Sequence, residues 1–402
     1  MSNAKYAAKP LTMTIAVAAV ALTATVSTVS PAVKLSADST ALIMGGTSVP
    51  TPDDAYIDIV KSHYIAPTHP GQDIDYVPLT TPEEGRLLTG AIRLAGFALG
   101  PPSVWGPGGS GWPKEPWWKL SGLFDRTYDQ STEEGVVDLE KAMADHGNDH
   151  LVIYGYSQGA MIETREKRIL AAQYPTRAGA PDIDFVLSGD PNLPNGGIFA
   201  RFPDLHIPVI GLSFNGAEPT NSPFDTVVIT RQYDGLADFP LYPLNVVADL
   251  NALLGVFYVH LNDLDASLSP DPSSSTLEKR TYGDTTYYFS PTQHLPLFGP
   301  LRTLGVPEPL IDIVEPVFRT IVELGYDRTI SPGEPTPARL IPRIDPAKVI
   351  HDLVAAVGEG VNNGLTLIGS GASSTSSTMA RAAAQPSADA APKTANAGIS
   401  KV

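Results

Sequence analysis

The sequence predicts an α/β fold in which helices cover both faces of a mainly parallel sheet. Strand-like and helix-like segments alternate between residues 39 and 345, as they do in chains built from strand–helix–strand units. Short apolar runs end in tight turns, as at residues 40–44, which are followed by Gly45 and Gly46. The hydrophobic fraction of 43% over 402 residues is enough to bury a core of this kind.

Each predicted element has a local signal in the sequence. Thr51 precedes Pro52 and suits the N-cap of a helix, since proline fits the first helical position. Residues 131–134 read Ser-Thr-Glu-Glu and form a capping-box pattern that predicts a second helix. The expected strands are 40–44, 151–154, 185–187 and Thr226–Arg231; an apolar helix is expected at 243–255, and a hairpin at 281–282 and 285–289 around a Gly283–Asp284 turn.

The two ends of the chain differ from its middle in composition. Lys5 and Lys9 precede an apolar run at residues 11–29, and this pattern predicts that 1–38 is an export signal with a spacer. The run is also about as long as a membrane span, so a retained single anchor is the alternative. Either reading predicts an exported protein that is envelope-associated, membrane-anchored or secreted. Residues 39–345 are predicted to form the folded domain, 346–368 a C-terminal helix, and the Ser/Ala/Thr/Pro-rich 369–402 a disordered tail.

The overall composition excludes several classes of function. A net charge of −16 disfavours a nucleic-acid partner, because phosphate binding needs a basic face. The absence of cysteine excludes disulfides, thiolate catalysis and zinc sites built on sulfur. The sequence contains no H-E-x-x-H motif and no clustered His/Asp ligand spacing, so neither a metal site nor a cofactor is predicted.

Residues 155–159 are the candidate catalytic motif, because Gly-Tyr-Ser-Gln-Gly matches the G-x-S-x-G nucleophile elbow. In such an elbow a strand turns into a helix within a few residues and leaves the serine, here Ser157, at the tip. The flanking Gly155 and Gly159 allow the close packing that the sharp turn needs. An apolar strand precedes the motif and a helix-forming segment follows it. The pattern therefore predicts an α/β-hydrolase fold, with lid-like insertions, and Ser157 as nucleophile.

A serine nucleophile needs a histidine base, and in this fold the chain order is serine, acid, histidine. Of the histidines after Ser157, His260 and His294 are the candidates. His294 follows the predicted hairpin through a loop that can aim a side chain into a site, whereas His260 follows the apolar helix and suits a packing role. We predict His294 as the base, with His260 as the alternative.

The acid and the oxyanion hole are predicted from the loops that follow two strands. Asp234 and Asp238 both follow the strand Thr226–Arg231; Asp234 is favoured because it lies nearer the strand end and precedes a glycine. The oxyanion hole needs the backbone N–H of the residue after the nucleophile, Gln158. Thr47, in the loop after the first strand, is predicted as the second donor.

All four tryptophans lie in a Gly- and Pro-rich segment, residues 98–118, which the sequence predicts to be a surface insertion. One interpretation is local packing of an irregular loop. The other is an apolar lip for a lipid substrate.

The elbow, extended to Ala160, resembles that of cutinases, and the wider pattern resembles the PE-PPE domain of mycobacterial proteins, a cutinase-like serine hydrolase. Three further stretches, 127–131, 189–197 and 232–240, carry the resemblance. The resemblance implies a triad of Ser157, Asp234 and His294, and places Thr47 where cutinases use a hydroxyl in the oxyanion hole. It covers roughly residues 40–345.

The resemblance implies an esterase, lipase or acyltransferase that forms an acyl-enzyme on Ser157. The expected substrates are lipid or glycolipid esters, including acyl-trehalose lipids, with membrane or cell-envelope association. Water as acceptor would make the protein an esterase, and a sugar hydroxyl would make it an acyltransferase. The alternative is a catalytically inactive envelope-binding protein of the same fold.

Overall fold

The computed structural model describes residues 39–105, 117–262 and 277–383. The strands within these ranges are β1 (Ser39–Ile43), β2 (Ile74–Pro78), β3 (His150–Tyr156), β4 (Ile183–Ser188), β5 (His206–Ile207), β6 (Leu212–Ser213), β7 (Thr226–Arg231), β8 (Glu278–Tyr282) and β9 (Thr285–Ser290). Seven of them form one sheet in the order β2-β1-β3-β4-β7-β9-β8. Neighbours in this sheet are parallel except β8 and β9, which form the predicted antiparallel hairpin.

Helices pack on both faces of this sheet. They are α1 (Asp54–Val60), α2 (Ala66–Thr68), α3 (Leu88–Leu99), α4 (Pro102–Trp105), α5 (Tyr128–Asp145), α6 (Gln158–Gln173), α7 (Ile198–Arg201), α8 (Val246–Tyr258), α9 (Gly299–Thr303), α10 (Glu308–Glu323) and α11 (Pro346–Ala383). A π-helical segment, Lys61–Ile65, joins α1 to α2, and short 3₁₀ turns occur at Trp117–Lys119, His260–Asn262 and Pro296–Phe298. The predicted α/β-hydrolase fold, a mainly parallel sheet flanked by helices, is confirmed.

Strand β3 shows why the sequence folds into three layers. Successive side chains of a strand point to opposite faces, and in β3 both sets are apolar and buried. Leu151 and Ile153 join the core cluster formed with α5 and α6, whereas Val152 and Tyr154 join the cluster formed with α1. The strand therefore lies between two layers of helices, and Ser157 follows its carboxyl end.

Two helix starts differ from their predictions by a few residues. The N-cap of α1 is Asp53, whose carboxylate accepts a hydrogen bond from the Tyr56 N–H at 3.1 Å, and not Thr51. Helix α5 starts at Tyr128, because Thr127 and Gln130 form the capping box. The predicted capping residue, Ser131, is instead buried inside the helix.

The C-terminal helix α11 continues to Ala383, past the predicted start of the disordered tail at Gly369. Residues 369–383 are rich in Ser and Thr, so helix propensity does not account for this extension. Residues 384–402 lie outside the described residues, as do the predicted export segment 1–38 and residues 106–116 of the tryptophan-rich insertion. Within the described ranges, no helix has the length and apolar character needed to cross a bilayer.

Candidate active site

Ser157 lies at the turn between β3 and α6 with a left-handed backbone, φ 56° and ψ −111°. This conformation is costly for a residue with a side chain and persists only where the surroundings enforce it. The enforcing contacts are at glycines: a Cβ on Gly155 would lie 2.4 Å from the Gly159 carbonyl carbon, and one on Gly159 would lie 2.3 Å from the Gly45 oxygen. The close packing of these backbones holds the serine at the tip.

The structure brings Ser157, His260 and Asp234 into one hydrogen-bonded chain. His260 Nε2 lies 2.8 Å from Ser157 Oγ, and its Nδ1 lies 2.9 and 2.8 Å from the two carboxylate oxygens of Asp234. All three side chains are buried, with exposed fractions of 5%, 2% and 0% respectively. A nucleophile, a base and an orienting carboxylate are thus within hydrogen-bond reach of one another.

The prediction of His294 as the base is wrong, since the structure places the alternative, His260, against the serine. The loop after β9 carries His294 to a different part of the molecule, where its Nδ1 lies 3.2 Å from Glu308 and 3.6 Å from Glu315. There it lines a polar groove of about 600 Å³ between α10 and α11. Its side chain is 39% exposed, whereas that of His260 is 2% exposed.

Two glycine contacts explain how His260 reaches the serine. Helix α8 packs on the loop that carries Asp234 so closely that a Cβ on Gly255 would lie 1.9 Å from the Tyr233 oxygen. On the loop side, a Cβ on Gly235 would lie 2.1 Å from the Ala252 oxygen. The helix therefore ends directly over the acid, and the following 3₁₀ turn delivers His260. This contact between two elements, at Gly235 and Gly255, places His260 against Ser157.

Asp234 is held as a carboxylate by its partners. Burial by itself raises the pKa of a carboxyl, but the charge and hydrogen bond of His260, with the backbone N–H groups of Ala237 and Leu236, lower the pKa of Asp234 below its ordinary value. The two N–H groups donate to Oδ1 at 3.0 and 2.8 Å. An ionised, fixed carboxylate keeps the imidazole in one tautomer and one orientation.

The other candidate acid, Asp238, makes different contacts. It accepts a hydrogen bond from the Tyr233 N–H at 2.8 Å and pairs with the Arg328 guanidinium at 2.6 and 3.0 Å. Both of its oxygens are used in shaping the loop, so Asp234 alone faces the histidine.

Sequence reasoning missed Tyr156, the variable residue of the elbow. Its ring stacks on the His260 imidazole with centroids 5.1 Å apart and an angle of 27° between the planes. Its hydroxyl donates to the His260 carbonyl oxygen. Tyr156 thus packs on the ring face of His260, whereas Ser157 and Asp234 contact its two nitrogens. The sequence signal for it was an aromatic residue directly before the serine.

The predicted oxyanion donors lie beside Ser157. Gln158 is the first residue of α6, a position whose backbone N–H has no acceptor within the helix. The Thr47 hydroxyl donates to the Gln158 side-chain oxygen at 2.9 Å, and Thr47 and Ser157 line one cavity. The Gln158 amide in turn donates to the Glu84 carbonyl and to Ser131 Oγ. Gln158 thereby connects the Thr47 loop to the elbow.

A cavity of about 230 Å³ opens at Ser157 and His260. Apart from Ser157, His260 and Thr47, its walls are mainly aliphatic and aromatic. They include Leu88, Ile92, Val104, Ile198, Phe199, Leu212, Phe214, Leu236, Val256 and Leu261. An apolar cavity that ends at a nucleophile suits the alkyl chain of an ester.

The profile of the PE-PPE domain matches residues 110–327 of the chain. The protein named Esterase PE16 of Mycobacterium tuberculosis (strain ATCC 25618 / H37Rv) is 42% identical over 327 residues, which is 79% of this chain and 54% of that protein. Diacyltrehalose acyltransferase Chp2 of the same organism is 31% identical over 207 residues, 49% of this chain and 56% of Chp2. The chain spans about half the length of these curated relatives.

Among solved structures, a cutinase-like protein from Cryptococcus sp. matches with a TM-score of 0.27 and 16% identity. The match covers 50% of this chain and 81% of that protein.

Proposed function

Because the chain belongs to the PE-PPE domain family, we propose that it is a lipid esterase or acyltransferase that works through an acyl-enzyme on Ser157. The observation that carries this proposal is the hydrogen-bonded chain from Ser157 Oγ through His260 to Asp234. The names of two relatives, an esterase and a diacyltrehalose acyltransferase, support the reaction class.

In the first half-reaction His260 Nε2 takes the proton of Ser157 Oγ while that oxygen attacks the ester carbonyl carbon. The carbonyl oxygen becomes an oxyanion, and Asp234 stabilises the imidazolium that forms. The C–O bond to the leaving alcohol then breaks, and His260 returns the proton to that alcohol. The products are the free alcohol and an acyl ester on Ser157.

In the second half-reaction an acceptor hydroxyl loses its proton to His260 Nε2 and attacks the acyl-enzyme. Collapse of the second tetrahedral intermediate returns the proton to Ser157 Oγ. Water as acceptor gives a fatty acid, and a sugar hydroxyl gives a new ester. The same groups serve both acceptors, so access of water to the cavity decides between them.

The backbone N–H of Gln158 and the Thr47 hydroxyl are the oxyanion donors in this proposal. The N–H at the start of α6 adds the positive end of the helix dipole to its hydrogen bond. Removal of one such donor in serine hydrolases costs on the order of 10²–10³ in kcat.

Lipid esters are the substrate class that the cavity supports. Its apolar walls accept an alkyl chain, and α3, which lines it through Leu88 and Ile92, exposes Leu94 and Phe97 to 71% and 72%. Exposed apolar side chains beside an apolar cavity suit an enzyme that works at a lipid surface. Together with the lysine-flanked apolar N-terminus, they support the proposal of an exported, envelope-associated protein.

The test is labelling and turnover by the purified full chain. A fluorophosphonate probe is expected to label the wild type and not Ser157→Ala, because the probe forms its bond with the activated hydroxyl. With an acylated trehalose as substrate, the wild type is expected to release fatty acid, form a more highly acylated trehalose, or both.

Loss of Ser157 is expected to lower kcat by on the order of 10⁶. Ser62→Ala, which alters an exposed serine of the segment Lys61–Ile65, is the matched control and should still be labelled. Absence of labelling in the wild type, or equal labelling of Ser157→Ala, would overturn the proposal of an acyl-enzyme on Ser157.

A further inference from the structure

Two histidines and an aspartate from three separate elements meet at the amino end of the sheet. His69 follows α2, His150 is the first residue of β3, and Asp184 lies at the start of β4. Ser157 follows the other end of β3. Since β3 has seven residues, the strand separates this cluster from the serine by roughly 20 Å.

The three side chains converge on one point. His69 Nε2 lies 3.3 Å from Asp184 Oδ2, and His150 Nε2 lies 3.6 Å from the same oxygen. One ligand atom of each residue lies within 4.8 Å of the other two. In a tetrahedral site with metal–ligand bonds of about 2.0–2.1 Å, neighbouring ligand atoms are about 3.3–3.4 Å apart. The two nitrogen–oxygen separations, 3.3 and 3.6 Å, are close to that edge length.

The remaining ring nitrogens have partners that orient both Nε2 lone pairs inward. His69 Nδ1 lies 3.3 Å from the Ile65 carbonyl oxygen, which can only accept, and 2.9 Å from Thr68 Oγ1. His150 Nδ1 lies 3.3 Å from an oxygen of Asp182. With a proton on each Nδ1, the two Nε2 atoms and the Asp184 oxygen are three acceptors facing one another. Partners of this kind on the outer nitrogen are typical of metal-bound histidines.

A proton shared between His69 and Asp184 would form one hydrogen bond and leave His150 Nε2 without a partner. His150 Nε2 is buried and has no hydrogen-bond partner among the described residues. Nor does any lysine or arginine in the described ranges form an ion pair with Asp184. A cation between the three atoms satisfies all of them.

The cluster around His294 offers a direct contrast. His294, Glu308, Asp312 and Glu315 also lie close together. There, however, Arg302 lies 2.7 Å from Glu308 and 2.5 Å from Glu315, and Arg319 lies 3.0 Å from Glu315. Two guanidinium groups already supply the positive charge, so that cluster needs no ion.

We propose that His69, His150 and Asp184 bind a divalent transition-metal ion, and that Zn²⁺ fits the site best. Two imidazole nitrogens and one carboxylate oxygen are ligands that Zn²⁺ uses, and they leave a fourth position for water. Asp184 is 25% exposed and Asp182, at the rim, is 75% exposed, so the position is open to solvent. The ion ties the end of α2 to β3 and β4 and stabilises the fold, far from the acyl-transfer chemistry.

The test measures metal binding and stability of the full chain after removal of metal with EDTA. One equivalent of Zn²⁺ is expected to bind, and an excess should raise Tm by about 3–5 °C, because an ion that binds only the folded state stabilises it. Co²⁺ at the same stoichiometry should give the intense visible bands of a tetrahedral N/O site.

His150→Gln and Asp184→Asn should each lose the Tm shift and the Co²⁺ bands. The matched control is His294→Gln, which alters the other histidine–carboxylate cluster and should retain both. If a variant fails to fold, the wild-type stoichiometry and Co²⁺ spectrum still decide the outcome. Failure of the wild type to bind Zn²⁺, equal binding by His150→Gln, or loss of binding in His294→Gln would overturn the proposal.

Discussion

His260 and His294 both follow Ser157 in the chain and both contact carboxylates, yet their surroundings differ. His260 is buried between a hydroxyl and a single aspartate whose other donors are backbone N–H groups. His294 is half-exposed beside two glutamates that arginines already pair. A histidine can serve as a base when its carboxylate has no competing cation and its second nitrogen faces a proton to be moved. The described contacts of His260 meet both conditions, and those of His294 do not.

The two ends of β3 also differ in how their polar groups are partnered. At the carboxyl end, the serine hydroxyl, the imidazole and the carboxylate alternate donor and acceptor, so every group is satisfied and a proton can move along the line. At the amino end, two imidazoles converge on one carboxylate oxygen, and with a proton on each Nδ1 three acceptors face one another. The first arrangement suits proton transfer, and the second suits a bound ion.

The sharpest test of the comparison is to replace each histidine by glutamine. His260→Gln is expected to lower kcat/KM for a short-chain p-nitrophenyl ester by on the order of 10⁵, because the nucleophile loses its base. His294→Gln should change kcat/KM by less than about threefold, as surface substitutions away from the chemistry usually do. Steady-state kinetics decides, and a large loss in His294→Gln would refute the assignment of His260.

The two candidate acids give the next largest effect. Asp234→Asn should lower kcat by on the order of 10⁴, because the amide no longer holds the imidazole in the correct tautomer. Asp238→Asn should retain kcat within about tenfold and mainly reduce stability, since Asp238 pairs with Arg328. The measurements are kcat and the midpoint of urea unfolding. If Asp238→Asn proved the more damaging to kcat, the acid would have to be reassigned.

The smallest expected effect concerns Arg302, which bridges Glu308 and Glu315 next to His294. Its hydrogen bonds lower the pKa of Glu308, and its loss leaves Glu308 without a guanidinium partner and Glu315 with Arg319 alone. Arg302→Gln should reduce the free energy of unfolding by about 2 kcal/mol and leave kcat/KM within about twofold. Urea denaturation measures the first quantity.

The control for Arg302 is Lys348→Gln, which breaks the exposed pair with Asp352 and should leave the midpoint of urea unfolding unchanged. Loss of activity in Arg302→Gln without loss of stability would contradict a purely structural role for the His294 region.

The elbow and the sheet could be read from the sequence because their signals are local. The run 151–154 is apolar on both faces, which predicts a buried parallel strand, and the glycines at 155 and 159 fix the turn after it. The strand Thr226–Arg231 and the hairpin turn at Gly283 and Asp284 were predicted at their observed positions for the same reason.

The choice between His260 and His294 could not be made locally. It depends on how closely α8 packs against the loop of Asp234, and that packing rests on Gly235 and Gly255, which lie in different elements. Loop position favoured His294, whereas the contact between two backbones placed His260. Sequence spacing likewise gave no hint of the cluster of His69, His150 and Asp184, because parallel strands bring together residues from distant parts of the chain.

The sequence by itself determined the class of fold, the strained serine and the acid loop, since each follows from the order of residues within a short segment. The tertiary structure alone decided which histidine meets the serine, that Tyr156 holds it, and which histidines converge at the other end of the sheet. The physical reason is that a hydrogen bond or a metal–ligand bond requires atoms to approach within about 2–3 Å. Only the packing of whole elements against one another sets distances of that size between residues remote in the chain.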